Sequence, residues 1–80
     1  MLVTAVESTT LATIAYDGAA QRLWLEFRSH AVYCYFDVPP HLYQDLMAAP
    51  SKGAFFNRNI RGRFPFLKQQ DTGHRSTRFA

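Results

Sequence analysis

The chain has 80 residues, 48% apolar and 15% aromatic, which supports one packed domain and excludes both a second core and a wholly disordered chain. Its net charge of +3 is unevenly distributed, because residues 1–50 carry two Arg against five acids, whereas residues 51–80 carry seven Lys and Arg against Asp71 alone. This basic end predicts a polyanionic partner, most commonly nucleic acid in a cytoplasm, with a solvated basic tail that binds nothing as the alternative.

The first half of the chain alternates apolar and polar side chains with the two-residue period of β-strands. Asp17-Gly18 is a turn signal, because Gly adopts a positive φ at little cost and Asp tolerates one. It predicts a hairpin between strands over Leu11–Tyr16 and residues 21–28. A further short strand is predicted near Val3–Val6.

The pairing of the next hairpin depends on its turn. If Ser29-His30 is a two-residue turn, opposed positions sum to 59, so Leu25 lies opposite Cys34 and Trp24 opposite Tyr35. One face of the sheet then carries the core residues Leu23, Leu25, Phe27, Val32, Cys34 and Phe36. The other face carries Trp24, Tyr33 and Tyr35, with Arg22 and Arg28 beside them.

Prolines mark a first helix in the second half of the chain. Pro40 suits the first helical position, since its φ is preset and a free N–H is not needed there. The helix is predicted to run to about Ala49, because Pro50 disfavours continuation. Its broad apolar face is made by Leu42, Tyr43, Leu46 and Met47.

A second short helix is predicted from about Lys52 to Arg61, with Ser51 as its N-cap and Gly62 at its end. Its buried face contains Phe56 and Ile60, and Arg58 and Arg61 project away from it.

Together these elements predict an α+β fold, an antiparallel three- to four-stranded β-meander followed by two short helices packed on one face. Residues 1–67 form a single domain, and residues 68–80, which are polar and aperiodic, form a disordered polar and basic tail. If the sheet has only three strands, Ala31–Phe36 is an apolar edge strand that a second copy could cover. A homodimer is therefore our second hypothesis.

Several short motifs follow one another along this pattern: Ile14-Ala15-Tyr16-Asp17, Leu23-Trp24-Leu25-Glu26-Phe27, Tyr33-Cys34-Tyr35, Val38-Pro39, Ser51-Lys52-Gly53-Ala54-Phe55-Phe56-Asn57 and Ile60-Arg61. Together they resemble the KTSC domain family, whose hallmark is the central Tyr-x-Tyr. The resemblance covers about residues 6–64. That family is named for its occurrence at the C-terminus of some lysyl-tRNA synthetases and also includes free-standing small bacterial proteins. The resemblance implies an association with tRNA, although the family has no established biochemical role.

Two groups of residues are candidates for RNA binding. Aromatic rings on a sheet face can stack unpaired bases, which assigns base stacking to Trp24, Tyr33 and Tyr35. Cations on and after the second helix can hold phosphates, which assigns phosphate binding to Lys52, Arg58, Arg61 and Arg63. The sequence thus predicts a non-catalytic, tRNA-associated RNA-binding domain.

Each group also has another interpretation. The aromatic face could be a dimer interface or could be buried beneath the helices. Ser51-Lys52-Gly53, where free amides at a helix start attract anions, could be an ordinary Ser cap beside a solvated basic face. The alternative function is therefore a protein-interaction or homodimerisation module that uses the aromatic face.

No set of residues predicts catalysis. Cys34, on a strand predicted to face the core, has the raised pKa and low reactivity of a buried thiol. His30, His41 and His74 lack the spacing of metal ligands. We expect no enzymatic activity, no catalytic residue, no metal and no cofactor.

The compartment is predicted from the cysteine count and the apolar runs. A single Cys cannot form an intrachain disulfide, whereas secreted domains of this size usually carry several. No signal-peptide pattern is present, and no stretch approaches the ~20 apolar residues that span a bilayer. We expect a cytoplasmic protein without membrane contact.

Overall fold

The computed structural model of the chain describes residues 3–71, with side chains through Gln69. Within this range the elements are β1 (Val3–Ala5), β2 (Leu11–Asp17), β3 (Arg22–Phe27), β4 (Ala31–Tyr35), α1 (Pro40–Ala48), α2 (Lys52–Asn59) and β5 (Phe66–Asp71). The strands form one antiparallel sheet in the order β1-β2-β3-β4-β5. The predicted α+β class is confirmed, with one strand more than the sequence indicated.

The β2–β3 hairpin is confirmed, but its turn is built differently from the prediction. The Asp17 carboxylate accepts hydrogen bonds from the backbone N–H groups of Ala19 and Ala20, at 3.1 and 3.3 Å, and so replaces a backbone turn bond. The positive φ of 55° belongs to Gln21 and not to Gly18. The Asp17 side chain, and not glycine freedom, therefore initiates this turn.

The predicted β3–β4 register is wrong by one residue. The observed partners are Leu23 with Tyr35, Trp24 with Cys34 and Leu25 with Tyr33. The connection is a three-residue loop in which the His30 N–H donates to the Phe27 carbonyl at 2.8 Å and His30 itself has a φ of 77°. A turn followed by a left-handed residue is the usual form of a three-residue hairpin loop, which shifts the pairing relative to a two-residue turn.

The one-residue shift turns every side chain of β4 to the other face. Tyr33 and Tyr35 therefore share the inner face with Leu23 and Leu25, and Tyr35 belongs to the core cluster. Val32 and Phe36, predicted for the core, are only half-buried, whereas Cys34 is buried as predicted but on the opposite face, outside that cluster. The predicted face that joins Trp24, Tyr33 and Tyr35 does not form.

The two helices begin and end close to the predicted residues and cover the inner face. Pro40 is the first residue of α1, and the Ser51 hydroxyl accepts the Ala54 N–H at 3.3 Å to cap α2. Gly62, with a φ of 76°, follows the end of α2. The helices contribute Leu46, Phe56 and Ile60 to the core, where these pack with Ile14, Leu23 and Leu25.

The last strand, β5, includes residues 68–71, which the sequence assigned to the tail. It pairs with β4, and β1 pairs with β2 at the other side of the sheet. The predicted apolar edge at Ala31–Phe36 is thus covered within the chain, which removes the reason for a dimer formed through that edge. Residues 72–80 of the predicted tail lie outside the described residues.

Candidate nucleic-acid interface

A cleft of 630 Å³ lies between the inner face of the sheet and α2. It is lined by Thr10, Phe27, Ser29, Ala31, Tyr33, Tyr35, Phe56, Asn57, Arg61, Gly62 and Phe66. Aromatic rings make most of its walls, and a few hydroxyl, amide and guanidinium groups are placed among them. A concave apolar surface with a few convergent polar groups is typical of a ligand site.

The five rings of the cleft form one contact cluster. Tyr33 and Tyr35, two residues apart on β4, stack with centroids 6.3 Å apart, and Phe66 on β5 lies 5.5 Å from each of them. Phe56 on α2 meets Phe27 and Tyr35 edge to face, at 5.3 and 5.7 Å. Such pairs are worth about 0.5–1.5 kcal/mol each beyond their buried area, so the cleft is held in shape by its own rings.

The rings differ in how much surface they expose. Tyr35 is 4% exposed and Phe56 is also buried, so these two form the floor. Tyr33 is half-buried and Phe66 is 51% exposed, and these two form the wall that a ligand can reach. Tyr33 and Phe66 are therefore the rings that can stack on a flat ligand.

Arg61 brings positive charge to the cleft. Its guanidinium donates to the Asn57 side-chain oxygen at 3.4 Å, and both residues line the opening beside Tyr35. Burial raises the pKa of Tyr35, the neighbouring Tyr33 raises it further, and the Arg61 charge opposes them. The floor tyrosine is thus neutral near pH 7, while the rim is cationic.

Two further arginines flank Arg61 in the chain: Arg58 lies in the last turn of α2, and Arg63 lies four residues after its last residue. Arg58 and Arg63 are exposed, and the Arg63 Nε donates to the Arg58 carbonyl at 3.1 Å. Cations near a helix C-terminus also interact favourably with the helix dipole, so this cluster stabilises α2 as well as supplying charge. We call Arg58, Arg61 and Arg63 the arginine rim.

The fourth predicted phosphate ligand, Lys52, is at the other end of α2. Lys52 is the first residue of α2 and lies about 10 Å along the helix axis from Asn59, the last residue. Its Nζ donates to the Ala49 carbonyl at 3.2 Å, and a Cβ on Gly53 would lie 2.7 Å from the Thr10 hydroxyl. At this helix start the Ser cap is confirmed, and the space beside Gly53 is filled by Thr10.

Trp24 is separated from the two tyrosines by the thickness of the sheet. It pairs with Ala15 on β2 and Cys34 on β4, on the face opposite the helices. A depression of 310 Å³ beside it is lined by Val3, Thr13, Ala15, Trp24, Glu26 and Val32. The structure therefore brings Tyr33, Tyr35 and Arg61 together and leaves Trp24 out.

Sequence reasoning missed Phe66, Phe27 and Asn57 as parts of the site. Phe66 was assigned to the last residues of the domain without a strand. The run Phe64-Pro65-Phe66-Leu67, apolar and directly before the polar residues, was the signal that could have predicted a further strand.

Groups that could support catalysis are dispersed in the described part of the chain. Cys34 is 2% exposed, and burial raises the pKa of its thiol while the Arg22 charge opposes the rise. His30 occupies the β3–β4 loop and His41 the first turn of α1. Among residues 3–71, no three His, Cys, Asp or Glu side chains lie together as metal ligands would.

The helices are also short. Neither α1 nor α2, the helices within the described range, has the length and apolar character needed to cross a membrane.

Comparison with known proteins adds the following similarities. The KTSC domain family model matches residues 7–64, which leaves the edge strands β1 and β5 outside the match. A crystal structure of a KTSC domain protein from Yersinia pestis is similar, with a TM-score of 0.84 and 35% identity over 86% of this chain and 97% of that one.

Two sequence relatives differ in the share of their length that is matched. A lysine–tRNA ligase from Nostoc punctiforme is 45% identical over 60 residues, which are 75% of this chain and 11% of the ligase. A protein of Tsukamurella paurometabola is 44% identical over 59 residues, which are 74% of this chain and 88% of that protein. The chain thus spans about a tenth of the ligase and most of the smaller relative.

Proposed function

This chain belongs to the KTSC domain family, and from that premise we propose that it is a non-catalytic RNA-binding domain that takes unpaired bases into its aromatic cleft. The observation that carries the proposal is the position of Arg61 at the opening of a cleft walled by Tyr33 and Phe66. The related segment in lysine–tRNA ligases, proteins whose name gives tRNA as their substrate, supports RNA as the polyanion.

The wall rings supply the stacking surface. A base stacked on an aromatic side chain gains about 1–3 kcal/mol, and any base can do so because every base has a π-face. Tyr33 and Phe66 are 5.5 Å apart between centroids and both reach the open side of the cleft. Tyr35 supports them from the floor, and Trp24, on the opposite face, has no part in this proposal.

The arginine rim supplies the phosphate contacts. Arg61 lines the cleft, Arg58 and Arg63 are exposed and within three residues of Arg61 in the chain, and none of the described lining residues is acidic. A strand with a base in the cleft would carry its backbone past these cations. Lys52 would contact a phosphate only if the RNA strand follows α2 along its length.

The cleft favours single-stranded over double-stranded RNA. Duplex RNA hides the base faces that the wall rings would stack on, whereas loops and ends leave them free. The unpaired regions of tRNA are therefore the proposed targets.

The test is the salt dependence of binding to tRNA and to a short single-stranded oligonucleotide, measured by fluorescence anisotropy. Arg58→Ala combined with Arg61→Ala should reduce the log-log salt slope by about 1.4, since each lost phosphate contact on a single strand removes about 0.7. Tyr33→Ala should weaken binding about tenfold and leave the slope nearly unchanged, because stacking is not a charge interaction.

Tyr43→Ala is the matched control, since this half-buried tyrosine stacks on Tyr16 outside the cleft. It should leave affinity unchanged once folding is verified. Binding that is no tighter to RNA than to heparin at physiological salt, or that is indifferent to Tyr33→Ala, would contradict the proposal.

A further inference from the structure

The outer face of the sheet, opposite the two helices, is apolar at its centre. It carries Val3, Ala15, Trp24, Val32, Cys34 and Leu67, and Val3 and Leu67 are each 59% exposed. Ala15 and Cys34, at its centre, are buried, and Trp24 and Val32 beside them are half-buried. The solvent face of an antiparallel sheet is normally polar, and an exposed apolar patch in a small domain marks an interaction surface.

Charged residues flank Trp24 symmetrically on this face. Arg22, Trp24 and Glu26 alternate along β3, the middle strand, so each charge lies two residues, or about 7 Å, from the indole position. Arg22 is exposed, with its guanidinium 5.3 Å above the Phe36 ring. Glu26 accepts a hydrogen bond from the Thr13 hydroxyl at 3.0 Å, which fixes its carboxylate on the face.

We propose that this face binds the same face of a second copy of the chain, about a two-fold axis that lies between the sheets and crosses β3 at Trp24. That axis sets the two β3 strands antiparallel, one above the other. Arg22 of each copy then lies opposite Glu26 of the other, which gives two complementary charge pairs per dimer. The 310 Å³ depression between Val3 and Val32 receives the indole of the other copy.

Charge selects this arrangement over the other two-fold arrangement of stacked sheets. An axis parallel to β3 would place Arg22 opposite Arg22 and Glu26 opposite Glu26, and like charges brought together oppose binding. The order Arg-Trp-Glu along the central strand is thus self-complementary in one orientation only.

The size of the face predicts a weak dimer. Five strands about 4.8 Å apart and about six residues long make a flat area of roughly 24 by 20 Å. This is about 500 Å² per copy, against about 800 Å² per partner in a standard stable interface. We therefore expect dissociation in the micromolar range and a monomer in dilute solution.

Sedimentation velocity over a micromolar concentration series tests the proposal. Arg22→Glu alone and Glu26→Arg alone should each weaken dimerisation about tenfold or more, because both pairs become repulsive. The double variant Arg22→Glu with Glu26→Arg should restore it to within about threefold of the parent. A mixture of the two single variants should form a heterodimer at concentrations where each variant alone is mostly monomeric, because both charge pairs are complementary in the mixed dimer.

Asp45→Arg is the matched control for Glu26→Arg, since it makes the same kind of charge change at an exposed position of α1, on the helix side, and should not alter dimerisation. Circular dichroism confirms that each variant is folded. A parent chain that stays monomeric at the highest concentration overturns the proposal. The proposal is equally overturned if Arg22→Glu does not weaken the dimer. It is also overturned if the double variant does not restore dimerisation.

Discussion

At the scale of single residues, the fold favours the neutral form of Tyr35. Burial raises the pKa of this phenol above its ordinary value of 10.0, Tyr33 adds to the rise and Arg61 opposes it. A floor residue that stays neutral does not cancel the charge of the arginine rim. The cleft therefore keeps a cationic opening over an apolar floor throughout the neutral range.

The raised pKa of Tyr35 predicts a loss of stability in alkali. The folded pKa exceeds the unfolded one, because the fold favours the neutral phenol. The stabilisation of the folded state by this neutral phenol is fully present below pH 10 and is lost as the pH rises through the folded pKa. The free energy of unfolding should therefore fall above pH 10, by at most about 1.4 kcal/mol per pH unit for this group. Urea unfolding at several pH values from 8 to 11 measures the decline.

Tyr35→Phe should make that alkaline decline shallower, since the ionisable group is gone. Comparison with the same variant at pH 7 separates the lost hydroxyl from its ionisation. A decline as steep in Tyr35→Phe as in the parent would show that Tyr35 does not contribute to it.

At the scale of elements, the start of α2 depends on the absence of a side chain at position 53. A Cβ there would lie 2.7 Å from the Thr10 Oγ1 and 2.9 Å from the Thr10 Cβ, both closer than side chains pack. The second contact is to an atom next to the backbone, which a rotamer change cannot move. Gly53 is thus the contact point between α2 and the end of the β1–β2 connection.

Gly53→Ala should destabilise the chain by about 1–3 kcal/mol through overpacking, despite the gain of about 1 kcal/mol that Ala usually brings to a helix. Urea unfolding measures the change. Gly18→Ala is the matched control, because a Cβ there meets only the Tyr16 ring at 3.6 Å and should be nearly neutral. Combining Gly53→Ala with Thr10→Gly should recover part of the lost stability. If Gly53→Ala stabilises the chain, the close contact between position 53 and Thr10 is refuted.

Elements were predictable from the sequence where a residue type marks their ends. Pro40, Ser51 and Gly62 each have a backbone or capping property that fits one position, so both helices were predicted to within about two residues. The register of β4 was not predictable, because Ala31–Phe36 is apolar or aromatic at every position. Without alternation, the pattern cannot tell which face is buried, and the loop geometry at His30 decides.

The candidate site was only half predictable for the same reason. Tyr33, Tyr35 and Arg61 were chosen for their chemistry, and the structure brings them together in the cleft. Trp24 was grouped with them through the wrong register. Phe66 was missed because β5 has no alternation of its own, and its pairing is supplied by β4, about thirty residues earlier in the chain.

At the scale of the whole molecule, the two surfaces are opposite one another and differ in how firmly they are held. The outer face is centred on β3, whose Leu23 and Leu25 are fully buried on the other side. The cleft has one wall on β5, an edge strand whose described side chains are all exposed. Strands with few buried apolar contacts open more readily than central ones, so the β5 edge of the sheet, which carries the Phe66 wall of the cleft, is less stable than its β3 centre.

This difference predicts that ligand binding orders β5. In the free chain the amides of residues 66–69 should exchange with deuterium faster than those of β3, as followed by NMR. A saturating single-stranded oligonucleotide should slow exchange in β5, because a base stacked on Phe66 holds that strand against Tyr33. The other edge strand, β1, has no residue in the cleft and should not respond. Phe66→Ala should abolish the slowing of exchange in β5. If the slowing persists in this variant, or if it is equal in β1 and β5, the oligonucleotide does not bind in the cleft.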